Sequence, residues 1–75
     1  MSDWIKTSEK MPEENSLVLF VERRITKSYI FRAVRYGYYA GNGEWKAYMN
    51  LGAQTVSAER VTHWMYRPEL PKEDE

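Results

Sequence analysis

The sequence predicts a small, mainly β domain: an antiparallel sheet of three to five strands, with a central hairpin at Asn42-Gly43 and little helix. An α+β arrangement is the alternative. Three observations carry the prediction. Leu17-Val18-Leu19-Phe20-Val21 is an unbroken apolar run of strand length, as expected of a strand covered on both faces and central in its sheet. Asn42-Gly43 supplies two adjacent residues that tolerate the positive φ of a type I′ hairpin turn. Val61–Tyr66 alternates with the two-residue period of a strand until Pro68 and Pro71 stop it.

Length and composition narrow the ways such a domain can hold together. Seventy-five residues make one domain, assigned to residues 1–71, with an acidic tail at 72–75 expected to fray. A chain this short buries only about 60% of the surface its unfolded form exposes. With no cysteine and one histidine, neither a disulfide nor a Cys/His zinc site can staple it. Eleven aromatic rings (three Trp, six Tyr, two Phe) are the substitute, each burying about 150–250 Å². No apolar run approaches the roughly 20 residues of a membrane span. Met1-Ser2-Asp3-Trp4 does not resemble a signal peptide. Together with the lack of cysteine, this gives a cytoplasmic expectation.

In chain order, Trp4-Ile5 is a short apolar anchor and residues 7–16 form a turn or loop around Pro12, with room for one helical turn near Ser8. Residues 17–21 form the first long strand, residues 23–28 a polar connection, and residues 29–40 a second long strand. A two-residue loop at Asn42-Gly43 pairs Gly41 with Glu44, Ala40 with Trp45, Tyr39 with Lys46, Tyr38 with Ala47 and Tyr36 with Met49. That register places Val34, Tyr36, Tyr38, Ala40, Trp45, Ala47 and Met49 on a core face. Phe31, Arg35, Tyr39, Glu44, Lys46 and Tyr48 fall on the other. Gly41 leaves a longer loop open, and a slip by one residue would invert one strand. Residues 50–60 show no period beyond a capped turn at Ser57-Ala58-Glu59-Arg60. In the last strand Val61, His63 and Met65 share one side, and Thr62, Trp64 and Tyr66 the other.

Several of these stretches together resemble a small phage and prophage family, domain of unknown function 551. They are Trp4-Ile5, Met11-Pro12, Leu17-Val18-Leu19-Phe20, Gly43-Glu44-Trp45, and Val61-Thr62-His63-Trp64-Met65 followed by Pro68 and Pro71. The likeness runs end to end and is most specific in Thr-His-Trp-Met. It departs from the family pattern at Tyr66-Arg67, where proline tends to follow Met directly, and in the Arg/Lys-rich stretch 23–35. The resemblance brings no activity with it. It implies a bacterial cytoplasmic setting and a viral or prophage origin, where small accessory proteins act by binding and blocking a host protein.

The residues point away from catalysis. His63 is the only side chain that ordinarily titrates near neutrality. Thr62 beside it points to the opposite face of a strand, and no phosphate loop, carboxylate pair or metal-ligand spacing appears. The expectation is therefore a non-enzyme without cofactor or metal, with His63 a partly buried strand residue and Trp64 filling core against Trp4. Binding residues are sought instead where cations and aromatics gather. Net charge is zero, yet residues 22–35 hold five basic residues against one acid. Arg23, Arg24, Ile25 and Lys27 form a basic tip around an apolar side chain, suited to an acidic host protein. Arg35, Tyr39, Lys46 and Tyr48 form an aromatic, basic sheet face. That face suits a protein partner or, as the second reading, single-stranded nucleic acid; overall neutrality weighs against duplex DNA. Self-association into a homodimer is the close variant of the protein-binding reading.

Overall fold

The computed structural model describes residues 3–68; the predicted boundary at 71 and the tail at 72–75 lie outside them. Six strands form one sheet: β1 (Ile5–Lys6), β2 (Leu17–Ile25), β3 (Ile30–Gly41), β4 (Glu44–Met49), β5 (Gly52–Ser57) and β6 (Val61–Tyr66). A single 3-10 turn, Ala58–Arg60, joins the last two. The order across the sheet is β1-β6-β2-β3-β4-β5, with every neighbouring pair antiparallel. The mainly β class is thus confirmed, with one strand more than the predicted maximum.

β2 is central, as its apolar run predicts, and its alternate side chains show what each face is for. Val18 and Phe20 are fully buried, joined by Trp45 and Ala47 from β4, Val56 from β5, and Val61 and Trp64 from β6. Phe20 and Trp45 lie with ring centroids 4.9 Å apart, Tyr39 and Trp45 5.1 Å, and Trp64 meets Tyr66 edge-on at 5.0 Å. Aromatic mass does close this core, and all of it lies on one side of the sheet. The connection from β5 to β6 crosses that side, where Ala58 packs on the core and donates its N–H to the Gly43 carbonyl at 2.9 Å. The loop before β2 covers the rest: Pro12 is buried, Asn15 N–H bonds the Tyr39 carbonyl, and Trp64 Nε1 donates to the Lys10 carbonyl at 2.7 Å.

Among the described residues, the opposite face has no second layer. Leu17, Leu19 and Val21 are only half-buried there, although an unbroken apolar run predicts cover on both sides. Trp4 precedes Ile5, which opposes Trp64, so Trp4 lies on this open face rather than against Trp64. It lines a shallow groove with Val21, Arg32 and His63.

The hairpin turn at Asn42-Gly43 forms as expected, with φ of 53° and 76°, and Gly41 pairs with Glu44. The register beyond it differs by one residue from the prediction. Gly41 also adopts positive φ (88°), and a bulge between Tyr39 and Gly41 leaves Ala40 as an extra residue. Tyr39 therefore opposes Trp45, Tyr38 opposes Lys46, and Gly37 opposes Ala47. The close approach at Gly37 leaves no room for a side chain, because a Cβ would overlap the Lys46 carbonyl. A second bulge, between Val21 and Glu22, turns Val61 into the core while His63 stays on the open face.

Candidate partner-binding surface

β2 and β3 outrun their neighbours. The β2–β6 ladder ends at Glu22, and the β3–β4 ladder begins only at Gly37. The remainder is a two-stranded arm, from Arg23 through a turn at residues 26–29 and back along β3. The molecule is correspondingly elongated, at 47 × 31 × 27 Å, and its 13.3 Å radius of gyration exceeds the roughly 11 Å of a compact chain of this length. The first half of the predicted connection at 23–28 is therefore strand, because Arg23, Arg24 and Ile25 pair with Arg32, Phe31 and Ile30.

Thr26 builds the turn. Its hydroxyl donates to the Tyr29 carbonyl at 2.9 Å and accepts the N–H groups of Ser28 and Tyr29, while its own N–H bonds the same carbonyl at 2.8 Å. Around this tip Ile25, Tyr29 and Ile30 are each more than half exposed, as is Val34 further along β3. Leu51, fully exposed at the β4–β5 turn, lies toward the same end of the sheet. Arg23 and Arg32 stand directly opposite one another on the open face. Like charges in that position destabilise a strand pair.

The arm's only acid is Glu22, buried to 2% exposure at the arm's root. Its carboxylate accepts from Arg24 Nε and Arg35 Nε, each at 3.0 Å. Burial pushes the Glu22 carboxyl upward, but the hydrogen bonds from Arg35 and Arg24, with their charges, outweigh it and hold the pKa below the ordinary range. Glu22 is thus consumed internally and does not offset the arm's outward charge.

The eight predicted binding residues fall into three places. Arg23, Ile25 and Lys27 are exposed on the arm, while Arg24 is tied to Glu22. Arg35 and Tyr39 lie on the core face, one bonded to Glu22 and the other packed on Trp45, with its hydroxyl accepting the Gly43 N–H at 3.4 Å. Lys46 and Tyr48 occupy the open face. The expected single face of Arg35, Tyr39, Lys46 and Tyr48 does not exist; the bulge at Ala40 divides it. What Tyr48 actually joins is Tyr36 at 5.7 Å and Tyr38 at 5.8 Å, both assigned from sequence to the core. Lys46 beside them bonds the Thr55 hydroxyl and lies 4.0 Å from Glu44.

Glu22, Arg32 and Ile30 were not singled out from sequence. The signal for Glu22 was present as the lone acid in a basic stretch. His63 sits half-buried with Nδ1 3.0 Å from its neighbour Thr62 Oγ1, and among the described residues no three His, Cys, Asp or Glu side chains converge.

Comparison with curated proteins gave no match, and comparison with solved structures gave none. One family model does match, over residues 3–72, and its description is "protein of unknown function (DUF551)". Spanning nearly the whole chain, that match makes this protein a member of the DUF551 family.

Proposed function

We propose that the protein is a binding module whose basic arm docks on an acidic surface of another protein. The observation that supports this best is the arm itself. It carries Arg23, Lys27 and Arg32 outward, its one acid is buried and paired, and it exposes Ile25, Tyr29, Ile30 and Val34 in water. Cations at a rim steer an acidic partner, and aliphatic side chains gain only when an apolar surface covers them. Exposed isoleucine and valine favour a protein over a nucleic acid. A second copy docking arm to arm would oppose like charges. In the phage or prophage setting that the family resemblance implies, the partner is a host regulatory or defence protein, met in the bacterial cytoplasm and blocked by occupancy rather than chemistry.

The test is a photo-crosslinking amino acid placed at Lys27, or as a control at Glu44 near the far turn, in a bacterial lysate. A protein adduct is expected at position 27 and not at 44. Excess wild-type chain should compete it away, and an R23E/K27E/R32E chain should not. Equal adducts at both positions, or unchanged competition by the charge-reversed chain, would overturn the reading. A nuclease-sensitive adduct would replace it with nucleic-acid binding, for which the Tyr36, Tyr38 and Tyr48 cluster is the stacking surface.

A further inference from the structure

The sheet ends in two outer strands that are finished differently. β1 is only two residues long, and so short a strand offers little for another chain to pair with. β5 runs for six residues, Gly52-Ala53-Gln54-Thr55-Val56-Ser57, with no charged residue, no proline and no bulge in its ladder with β4. Charges, prolines and bulges are what ordinarily keep an edge from recruiting a further strand. All of β5 except Val56 is exposed, and among the described residues no strand lies beyond it.

The hydrogen bonding shows which backbone groups this edge presents. Antiparallel neighbours alternate between rows that exchange backbone bonds and rows that do not. The Ala58 N–H reaches the Gly43 carbonyl at 2.9 Å, one row beyond Ser57 and Glu44. By alternation, the bonded rows of the ladder are Val56–Trp45, Gln54–Ala47 and Gly52–Met49. Ala53, Thr55 and Ser57 therefore turn their N–H groups outward, and Ala53 and Thr55 their carbonyls with them.

We propose that β5 pairs antiparallel with β5 of a second copy of this chain, about a two-fold axis at Thr55. An axis perpendicular to the sheet sets Thr55 opposite the partner's Thr55, Gln54 opposite Val56, and Ala53 opposite Ser57, with both core faces on the same side. The outward groups then meet: the two Thr55 residues exchange two backbone bonds, and each Ser57 N–H reaches an Ala53 carbonyl. Two threonines directly opposite are a favourable cross-strand pair. A second copy suits this edge because its uncharged strand opposes no charge to its own image, unlike the arm. The nearest like charges are the two Lys46 side chains, one strand further in on each side. Three strand spacings separate them by about 14 Å, which exceeds the Debye length of about 8 Å at physiological salt.

So small an interface makes a weak dimer that forms with concentration. Sedimentation equilibrium of the full chain at physiological salt, from about 10 μM to about 1 mM, should show the mass rising from 9.0 kDa toward twice that value. Thr55→Glu keeps an opposite charge across from Lys46 within the chain but sets two carboxylates face to face at the axis, and should weaken association about tenfold or more. Thr55→Pro removes an outward N–H, which an edge strand tolerates, and should act likewise. Circular dichroism confirms that each variant is folded. In wild type, hydrogen exchange of the Thr55 amide should slow as concentration rises, while that of Gln54, already bonded to β4, should not. A chain that stays single up to about 1 mM, or a dimer unchanged by both T55E and T55P, overturns the proposal. So does a dimer lost in V34D and kept in T55E, which would place the contact on the open face. The R23E/K27E/R32E chain leaves β5 untouched and should dimerise as wild type does, so a failure of the edge and a failure of the arm are read separately.

Discussion

The two halves of β2 lie in different surroundings. From Leu17 to Glu22 the strand has β6 on one side and β3 on the other, and its inward side chains are buried. From Arg23 to Ile25 it has β3 alone, and its side chains are cations or exposed aliphatic carbon. An isolated two-stranded hairpin is marginal in water. The outer half therefore persists through a hydroxyl-built turn at Thr26 and through the Glu22 carboxylate at its base, which ties Arg24 to the body. Stability in this protein resides in the body, whereas the arm spends it on exposed charge and apolar surface.

Four substitutions probe that division, and their effects should fall in order from body to tip. Phe20→Ala removes a fully buried ring from the centre of the core, and a loss of about 3–5 kcal/mol is expected. For a domain this small that approaches the whole stability, so circular dichroism is expected to show a largely unfolded chain. Gly37→Ala should be comparably damaging, because backbone rather than a yielding side chain occupies the space.

Glu22→Gln, at the junction, strands two arginines. Both guanidiniums reach solvent, so about 2–3 kcal/mol is expected at neutral pH rather than the full cost of a buried pair. The pH dependence has a definite sign. A carboxylate whose folded pKa is depressed contributes stability that is complete above its unfolded value of about 4.3, and that is lost as pH falls through the folded value. Chemical denaturation of wild type and E22Q should therefore give curves that converge below about pH 4 and stay apart above pH 5. A constant gap across that range would mean the ion pair is not what holds the arm's base.

Thr26→Val leaves the body intact and removes the hydroxyl that organises the turn. About 1 kcal/mol is expected, read as faster hydrogen exchange at residues 24–31 with little change in melting temperature. A drop in exchange protection throughout β4 and β6 would show that arm and body unfold as one unit, erasing the distinction.

Most of this architecture was legible in the residues, and the exceptions share a cause. The apolar run of β2, the Asn-Gly turn and the alternation of β6 each report burial or backbone geometry directly. β5 was invisible because it is an edge strand in which only Val56 is buried, so Gly52-Ala53-Gln54-Thr55 shows no hydrophobic period. The register after Gly41 was misread because a bulge depends on tertiary fit: Trp45 gains Phe20 and Tyr39 as ring neighbours only when Ala40 is squeezed out of the ladder. The same slip accounts for the dispersed site. Arg35 and Tyr39 carry the residue types of a binding surface, but one neutralises a buried acid and the other packs on a tryptophan. Residue type gave the chemistry available to the chain, and strand parity decided which of it faces outward.

The bulge at Ala40 also bears on how this chain can change. A surface turn ordinarily tolerates the gain or loss of a codon. Here, losing the codon for Ala40 would remove the one residue that the ladder leaves out, so Tyr39 would still oppose Trp45 and both faces of β4 would be kept. The same loss at Lys46 would instead move Ala47 opposite Tyr38 and turn it out of the core. The hairpin is therefore open to shortening at its bulge and closed to it one step into the strand.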